Sequence, residues 1–243
     1  LWVTPSVQLA EEAKVLLRTD VVKPMLPKGN AETRVLVGLF NECGPGTQAH
    51  GDCGGIYLLG RARADVPPAN VCVGDSAVAE GGFVGYYGGN NDLDGSGQLR
   101  YVRVEFAGKE RSPNNELNSF TFCAVGKNTK VDYCEAFEGD DDSFEWFGGS
   151  MDARHLIGVG GHDDGYDIQM GARNRAQFCI FRQSPGYSQS GGQNGDHGLE
   201  ADNTETAPYD QLVCSGRSHI ELANFTFIGD QRVDDGTQFP GPT

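Results

Sequence analysis

Short apolar runs separated by Gly-, Asn- and Asp-rich spacers set the pattern of this chain. The segments LRYVRVEF (99–106), VDYCEAF (131–137), ARHLIGV (153–159), RAQFCIF (175–181) and HIELANFTFI (219–228) alternate apolar and polar positions with a period near two. That period marks β-strands, whose successive side chains point to opposite faces. A second set lies between them: LNSFTF (117–122), DDSFEW (141–146), DDGYDI (163–168) and DHGLEA (196–201). These recur in steps of 24, 22 and 33 residues, the last step enlarged by the polar insertion GYSQSGGQNG at 186–195. A tandem unit of about 22 residues, built of two or three short strands, predicts an all-β parallel solenoid.

In a solenoid, equivalent residues of successive coils stack at about 4.8 Å. Phe120, Phe144, Tyr166 and Leu199 are predicted to form one inward ladder, and Phe122, Trp146, Ile168 and Ala201 the next. Thr121, Glu145, Asp167 and Glu200 lie between them and should face outward. Two further outer columns hold Asn118, Asp142, Asp164 and His197, and Leu117, Asp141, Asp163 and Asp196. Stacked like charges cost about 1–3 kcal/mol per pair near a protein surface. Three things can offset that cost. A hard divalent cation ligated by carboxylates of adjacent coils is one. Carboxyl groups with raised pKa values are another. Splaying of the side chains into solvent is the third. Calcium is the cation expected, with Asp141, Asp142, Glu145, Asp163, Asp164, Asp167, Asp196 and Glu200 as ligands.

The segment QLAEEAKVLLRTD (8–20) carries Leu9, Ala13, Leu16 and Leu17 on one helical face. It predicts a helix that caps the open end of the solenoid or docks a partner. Residues 1–53 are read as this cap with its following loop, and 54–243 as the β-helix domain. The stretch NNDLDGSG (90–97) imitates the start of a calcium loop through Asn90, Asp92, Asp94 and Gly95, but Tyr101 stands where the bidentate Glu belongs. An Asx-rich turn is the simpler expectation.

Composition narrows the function classes. The net charge of −15, with only 19 Lys and Arg, supplies no basic stripe for a nucleic-acid backbone. No apolar run approaches the roughly 20 residues of a membrane-spanning helix. Among the seven cysteines there is no CxxC pair, which argues against a zinc or iron–sulfur cage. Cys43 and Cys53 bracket a polar loop that a disulfide would staple, implying an oxidising compartment. Cys72, Cys123, Cys134, Cys179 and Cys214 read as small buried hydrophobes, with at least one thiol left over. The chain begins at Leu1 and is expected to be a trimmed part of something longer.

The motifs GGIYLLGRA (54–62), YYGGNNDLDGSGQLRYVRVEFAG (86–108), NELNSFTFCAVG (115–126), GDDDSFEWFGG (139–149), HDDGYDIQMG (162–171) and GDHGLEADN (195–203) occur in that order. Together they resemble secreted or lipid-anchored bacterial β-helix surface proteins, which carry runs similar to LRYVRIEY, GDDGIEFFGG and DRGIEADN. The resemblance spans about residues 54–229. It implies a right-handed parallel β-helix at the cell envelope or outside the cell, and no particular activity.

Two functions are weighed. The first is a non-catalytic cell-surface protein, structural, adhesive or carbohydrate-binding, in which Tyr86, Tyr87, Tyr187 and Tyr209 are placed to stack on sugars. The second is a polysaccharide hydrolase or lyase using Asp141, Asp163, Asp164 and His197. An inverting hydrolase needs two carboxyl groups about 6.5–9.5 Å apart. A lyase needs calcium and a basic residue, for which Arg154, Arg173, Arg175 and Arg182 are available. A Ser–His–Asp hydrolase using His155, His162, His197 or His219 lacks a GxSxG elbow. Self-association through the solenoid ends is a further expectation.

Overall fold

The computed structural model describes residues 7–9, 34–37, 49–52, 54–65, 77–79, 86–112, 115–183, 197–203 and 217–229. The strands are β1 (Val7–Leu9), β2 (Arg34–Val37), β3 (Ile56–Leu59), β4 (Ala77–Val78), β5 (Tyr86–Tyr87), β6 (Gln98–Glu105) and β7 (Phe120–Cys123). They continue as β8 (Lys130–Phe137), β9 (Phe144–Phe147), β10 (Asp152–Val159), β11 (Tyr166–Gln169), β12 (Arg175–Arg182), β13 (Glu200–Ala201) and β14 (Glu221–Ile228). Short and long strands alternate along the chain and segregate into two sheets. The long-strand sheet runs β1-β6-β8-β10-β12-β14 and the short-strand sheet runs β13-β11-β9-β7-β3-β2. From β6 to β14 and from β3 to β13 all pairings are parallel, one strand per sheet per coil. This is a parallel β-helix, and the predicted registers are the observed ones. Phe120 pairs with Phe144 and Phe144 with Tyr166, while Phe122 pairs with Trp146 and Trp146 with Ile168.

The core lies between the sheets. Phe120, Phe144 and Tyr166 stack with ring centroids 4.9 and 5.5 Å apart, and Phe122 meets Trp146 at 5.4 Å. Leu99, Val102, Val104, Val131, Cys134 and Leu156 close it from the long strands. Leu199 packs against its edge, whereas Ala201, expected to join the second ladder, is exposed. Close approach of coils fixes some positions absolutely: a side chain on Gly55 would lie 1.7 Å from the carbonyl oxygen of Asn118.

The strands that open the two sheets pair antiparallel with their neighbours. Gln8 and Leu9, predicted to begin a helix, lie in β1, which pairs antiparallel with β6. The rest of 8–20 falls outside the described residues. The physical reason is the exposed edge of β6, whose free N–H and C=O groups need partners, and Val7-Gln8-Leu9 alternates as a strand should. On the other sheet β2 closes β3 in the same way.

Each long strand bends at its fourth residue. Tyr101, Tyr133, His155, Phe178 and Asn224 occupy that position with φ between 51 and 61°, the left-handed region. For side chains other than Gly this costs roughly 1–2 kcal/mol each. The bend throws the four rings outward into one continuous stack, at 4.9, 4.3 and 5.2 Å. Ring pairs of this kind return about 0.5–1.5 kcal/mol each. The corner is therefore held by its side chains against its backbone preference. Replacing Tyr133 tests this: Tyr133→Gly is expected to be more stable in urea than Tyr133→Ala by about 1 kcal/mol, although both lose the ring. An Ala variant equal to or better than Gly contradicts the strained corner.

Candidate functional site

The outer face of the short-strand sheet changes character along the solenoid. At β3 and β7 it is apolar: Tyr57, Leu59 and Cys123 are buried there with Phe147, Tyr87, Ala77 and Ala79. The paired strands β4 and β5 pack on this part through Ala77 and Tyr87, with Gly88 N–H donating to Gly60 O and Asn91 N–H to Arg61 O. From β9 onward the same face turns acidic. Thr121, Glu145, Asp167 and Glu200 pair in register, as the alternation predicts.

Their environment differs from the expectation. Thr121, Glu145 and Asp167 point away from the core yet are buried, and only Glu200 is exposed. In the neighbouring column Asn118, Asp142 and Asp164 are also buried, leaving His197 exposed. Splaying into solvent is thus excluded for the middle of both columns. Sequence alternation assigns a face, and it cannot report what covers that face.

These side chains fall into three clusters, each with ligand atoms within 4.8 Å of one another: Asp141, Asp142 and Asp163; Asp142, Glu145 and Asp167, the one buried throughout; and Asp164, His197 and Glu200. Asp196 lies outside the described residues. Part of the arrangement is structural. Asp142 Oδ1 accepts the N–H of Asp164 at 2.9 Å, and Asp164 Oδ1 accepts the N–H of His197 at 2.8 Å. Each Asp therefore caps the turn of the next coil. Glu145 accepts from the Asn118 side-chain amide and from Gln169 Nε2 at 2.7 Å, and Gln169 Nε2 also reaches Asp167 Oδ2 at 3.0 Å.

Four oxygens around this pair receive no hydrogen bond among the described residues: Asp167 Oδ1, Asn118 Oδ1, Thr121 Oγ1 and Gln169 Oε1. Donors are scarce where acceptors crowd, and a buried acceptor without a donor costs about 1–3 kcal/mol. Both amides spend their N–H groups on Glu145 or Asp167 and present their carbonyl oxygens elsewhere. Gln169 was not among the predicted ligands. Its signal was readable, since it stands two residues after Asp167 on the same strand face.

Burial pushes these carboxyl groups up. Asp142 is held well above the usual carboxylate range, first by desolvation and then by the charges of Asp141, Asp167, Asp163 and Asp164. Asp164 is raised to about 9 by burial and by its hydrogen bond to Glu200. Asp167 is raised to about 6, again chiefly by burial.

The other candidates are dispersed. Asp92 is held by the Arg63 guanidinium, Asp94 is buried and accepts from Ser96 Oγ, and Leu93 N–H bonds Asn91 Oδ1. The 90–97 segment is an Asx turn braced by an ion pair. Tyr87 is buried against Phe147 and offers no face to a sugar, and Tyr86 is half-buried. Arg154, Arg175 and Arg182 stand on β10 and β12 of the other sheet, where Arg175 pairs with Asp152 and Arg154 with Gln177. His155 belongs to the corner stack and meets Asp132 Oδ1 at 2.8 Å. Cys123, Cys134 and Cys179 are buried, with Cys134 pushed up to about 12 and Cys179 to about 11 by burial. The proposed Cys43–Cys53 staple, Cys72, Cys214, Tyr187 and Tyr209 lie outside the described residues.

Parallel coils with matched registers define the class as a parallel β-helix. Residues 42–239 match the family described as a pectate-lyase-like β-helix domain, and the chain belongs to that family. No curated protein and no solved structure matches it. Among the described residues no helix is long and apolar enough to cross a membrane.

The shifts carry a pH dependence. An acid whose folded pKa is raised contributes its full stability below its unfolded value, near 4, and loses it as pH rises through the folded value. For Asp164 that window runs from about 4 to about 9. In chelator-treated protein, the stability of the wild type relative to Asp164→Asn is therefore expected to fall steadily across it. Thermal melts of both proteins at matched pH measure the difference, and a difference that grows with pH contradicts the assignment.

Proposed function

We propose that this chain is a non-catalytic β-helix of the cell surface or extracellular space, structural or polysaccharide-binding, whose acidic ladder is stabilised by Ca2+. The observation that carries the calcium reading is the buried cluster of Asp142, Glu145 and Asp167, whose ligand atoms lie within 4.8 Å of one another and in which Asp167 Oδ1 receives no described donor. Carboxylate, amide and hydroxyl oxygens are the ligands a hard divalent cation takes. Asp142 supplies a further carboxyl group to the same cluster. Family membership supports polysaccharide as the ligand class, and the −15 charge suits a salt-rich exterior.

Spacing weighs against inverting hydrolysis by two acids of one cluster. The carboxyl oxygens of each cluster lie within 4.8 Å, whereas an inverting pair needs about 6.5–9.5 Å to admit water. One observation favours a second reading. Asp164, protonated to about 9, stands beside exposed His197 and Glu200 and has a proton to give near the surface. On that reading the chain cleaves polysaccharide with Asp164 as the acid.

Calcium binding stabilises only the folded chain, by about 2.7 kcal/mol at 100 times Kd. Added Ca2+ is expected to raise the melting temperature of chelator-treated protein, with the rise reduced in Glu145→Gln and Asp167→Asn. Because the ligands must be deprotonated, the effect should strengthen as pH rises through about 6, the Asp167 value. Metal analysis that finds no bound calcium, together with an unchanged melt, overturns the reading. Chain scission in a panel of acidic and neutral glycans, lost in Asp164→Asn, replaces it with the enzymatic one.

A further inference from the structure

A second group of metal-binding side chains sits on the turn before β9, apart from the ladder oxygens. His50 lies on a segment clamped to that turn: the N–H groups of Gly51 and Asp140 donate to the same carbonyl, Ala107 O, at 3.0 and 2.8 Å. Gly51 has φ +72°, and a side chain there would come 2.7 Å from Asp140 Oδ2, so only Gly lets the two turns close up.

The ring contacts fix how the imidazoles are presented. His50 Nδ1 lies 2.9 Å from the carbonyl oxygen of Gly139. A carbonyl only accepts, so Nδ1 donates to it, while Nε2 faces Glu138 Oε2 at 2.9 Å, a contact that needs a proton or a cation between the two atoms. His162, buried one coil further on, places Nδ1 2.5 Å from Asp140 Oδ1. The two rings stack face to face, with centroids 3.4 Å apart and planes 17° from parallel. Ligand atoms of His50, Asp140 and His162 all lie within 4.8 Å of one another.

We propose that His50, His162 and Asp140, with Glu138 beside them, form a site for a d-block divalent cation of the Zn2+ type that ties residues 49–52 to the turns before β9 and β11. A metal-ligating His commonly donates its other ring N–H to a backbone carbonyl or a carboxylate, which fixes tautomer and ring orientation. Both histidines have such a partner. Two imidazoles with a carboxylate select zinc-like cations, whereas the all-oxygen ladder suits calcium. The site shares no residue with the calcium ligands and does not rest on that reading.

The test is calorimetric titration of chelator-stripped protein with Zn2+ in excess Ca2+. A single Zn2+ per chain is expected, weakened at least tenfold in His50→Gln and in His162→Gln. Co2+ is expected to give the visible bands of a low-coordinate site with imidazole ligands, lost in His50→Gln. Circular dichroism verifies the β-helix in each variant, and if His162→Gln fails to fold, His50→Gln and the wild-type Co2+ spectrum decide. Absence of Zn2+ binding, displacement of Zn2+ by Ca2+, or binding unchanged in the variants overturns the proposal. A chain that binds Zn2+ but shows no calcium effect on melting keeps this site and loses the ladder reading.

Discussion

Parallel pairing in fixed register is the constraint on which the rest depends. Once Phe120, Phe144 and Tyr166 pair in one column, every other residue of those coils is committed to a vertical neighbour of the same rank. Inside, this is favourable, because flat rings about 5 Å apart fill the core without gaps. Outside, the same rule places Glu145 on Asp167 and Asp167 on Glu200. The fold cannot separate these charges without shifting a strand, and a shift of one residue would turn the aromatic ladder to the outside. Core packing thus imposes an electrostatic cost on the surface.

The chain meets that cost differently at different columns. Asp142 and Asp164 are used as caps for the following turn, and burial raises the pKa values of both. Glu145 draws on the amides of Asn118 and Gln169, whose carbonyl oxygens receive no donor among the described residues. On the long-strand sheet the solution is ordinary pairing, as between Arg175 and Asp152 or Arg100 and Asp132.

Much of this was legible before any coordinate. The spacing of DDSFEW and DDGYDI gave the coil length, and alternation within them assigned the core rings and the acidic column residue by residue. Three features were not legible. Burial of Glu145 and Asp167 depends on what lies across the face, which no local pattern encodes. The left-handed corner at Tyr101, Tyr133, His155 and Phe178 uses residues that ordinarily avoid that conformation, so propensity pointed away from it. The strand at Val7–Leu9 was hidden because an isolated apolar-polar-apolar triplet also fits one turn of a helix, and only the open edge of β6 decides between them.

The corner and the acidic face share a logic. Both hold an unfavourable local state, strained backbone in one and crowded carboxyl groups in the other, across at least three successive coils. A single coil could relax either by shifting its strand. A stack cannot, because each coil is pinned by the hydrogen bonds of two neighbours, and at the corner side-chain stacking offsets the penalty. The chemistry of a β-helix surface is therefore set by column rather than by residue. The oxygen-rich columns crowd acceptors together, the ring column stacks its rings, and the turn where His50 meets His162 and Asp140 brings mixed donors together.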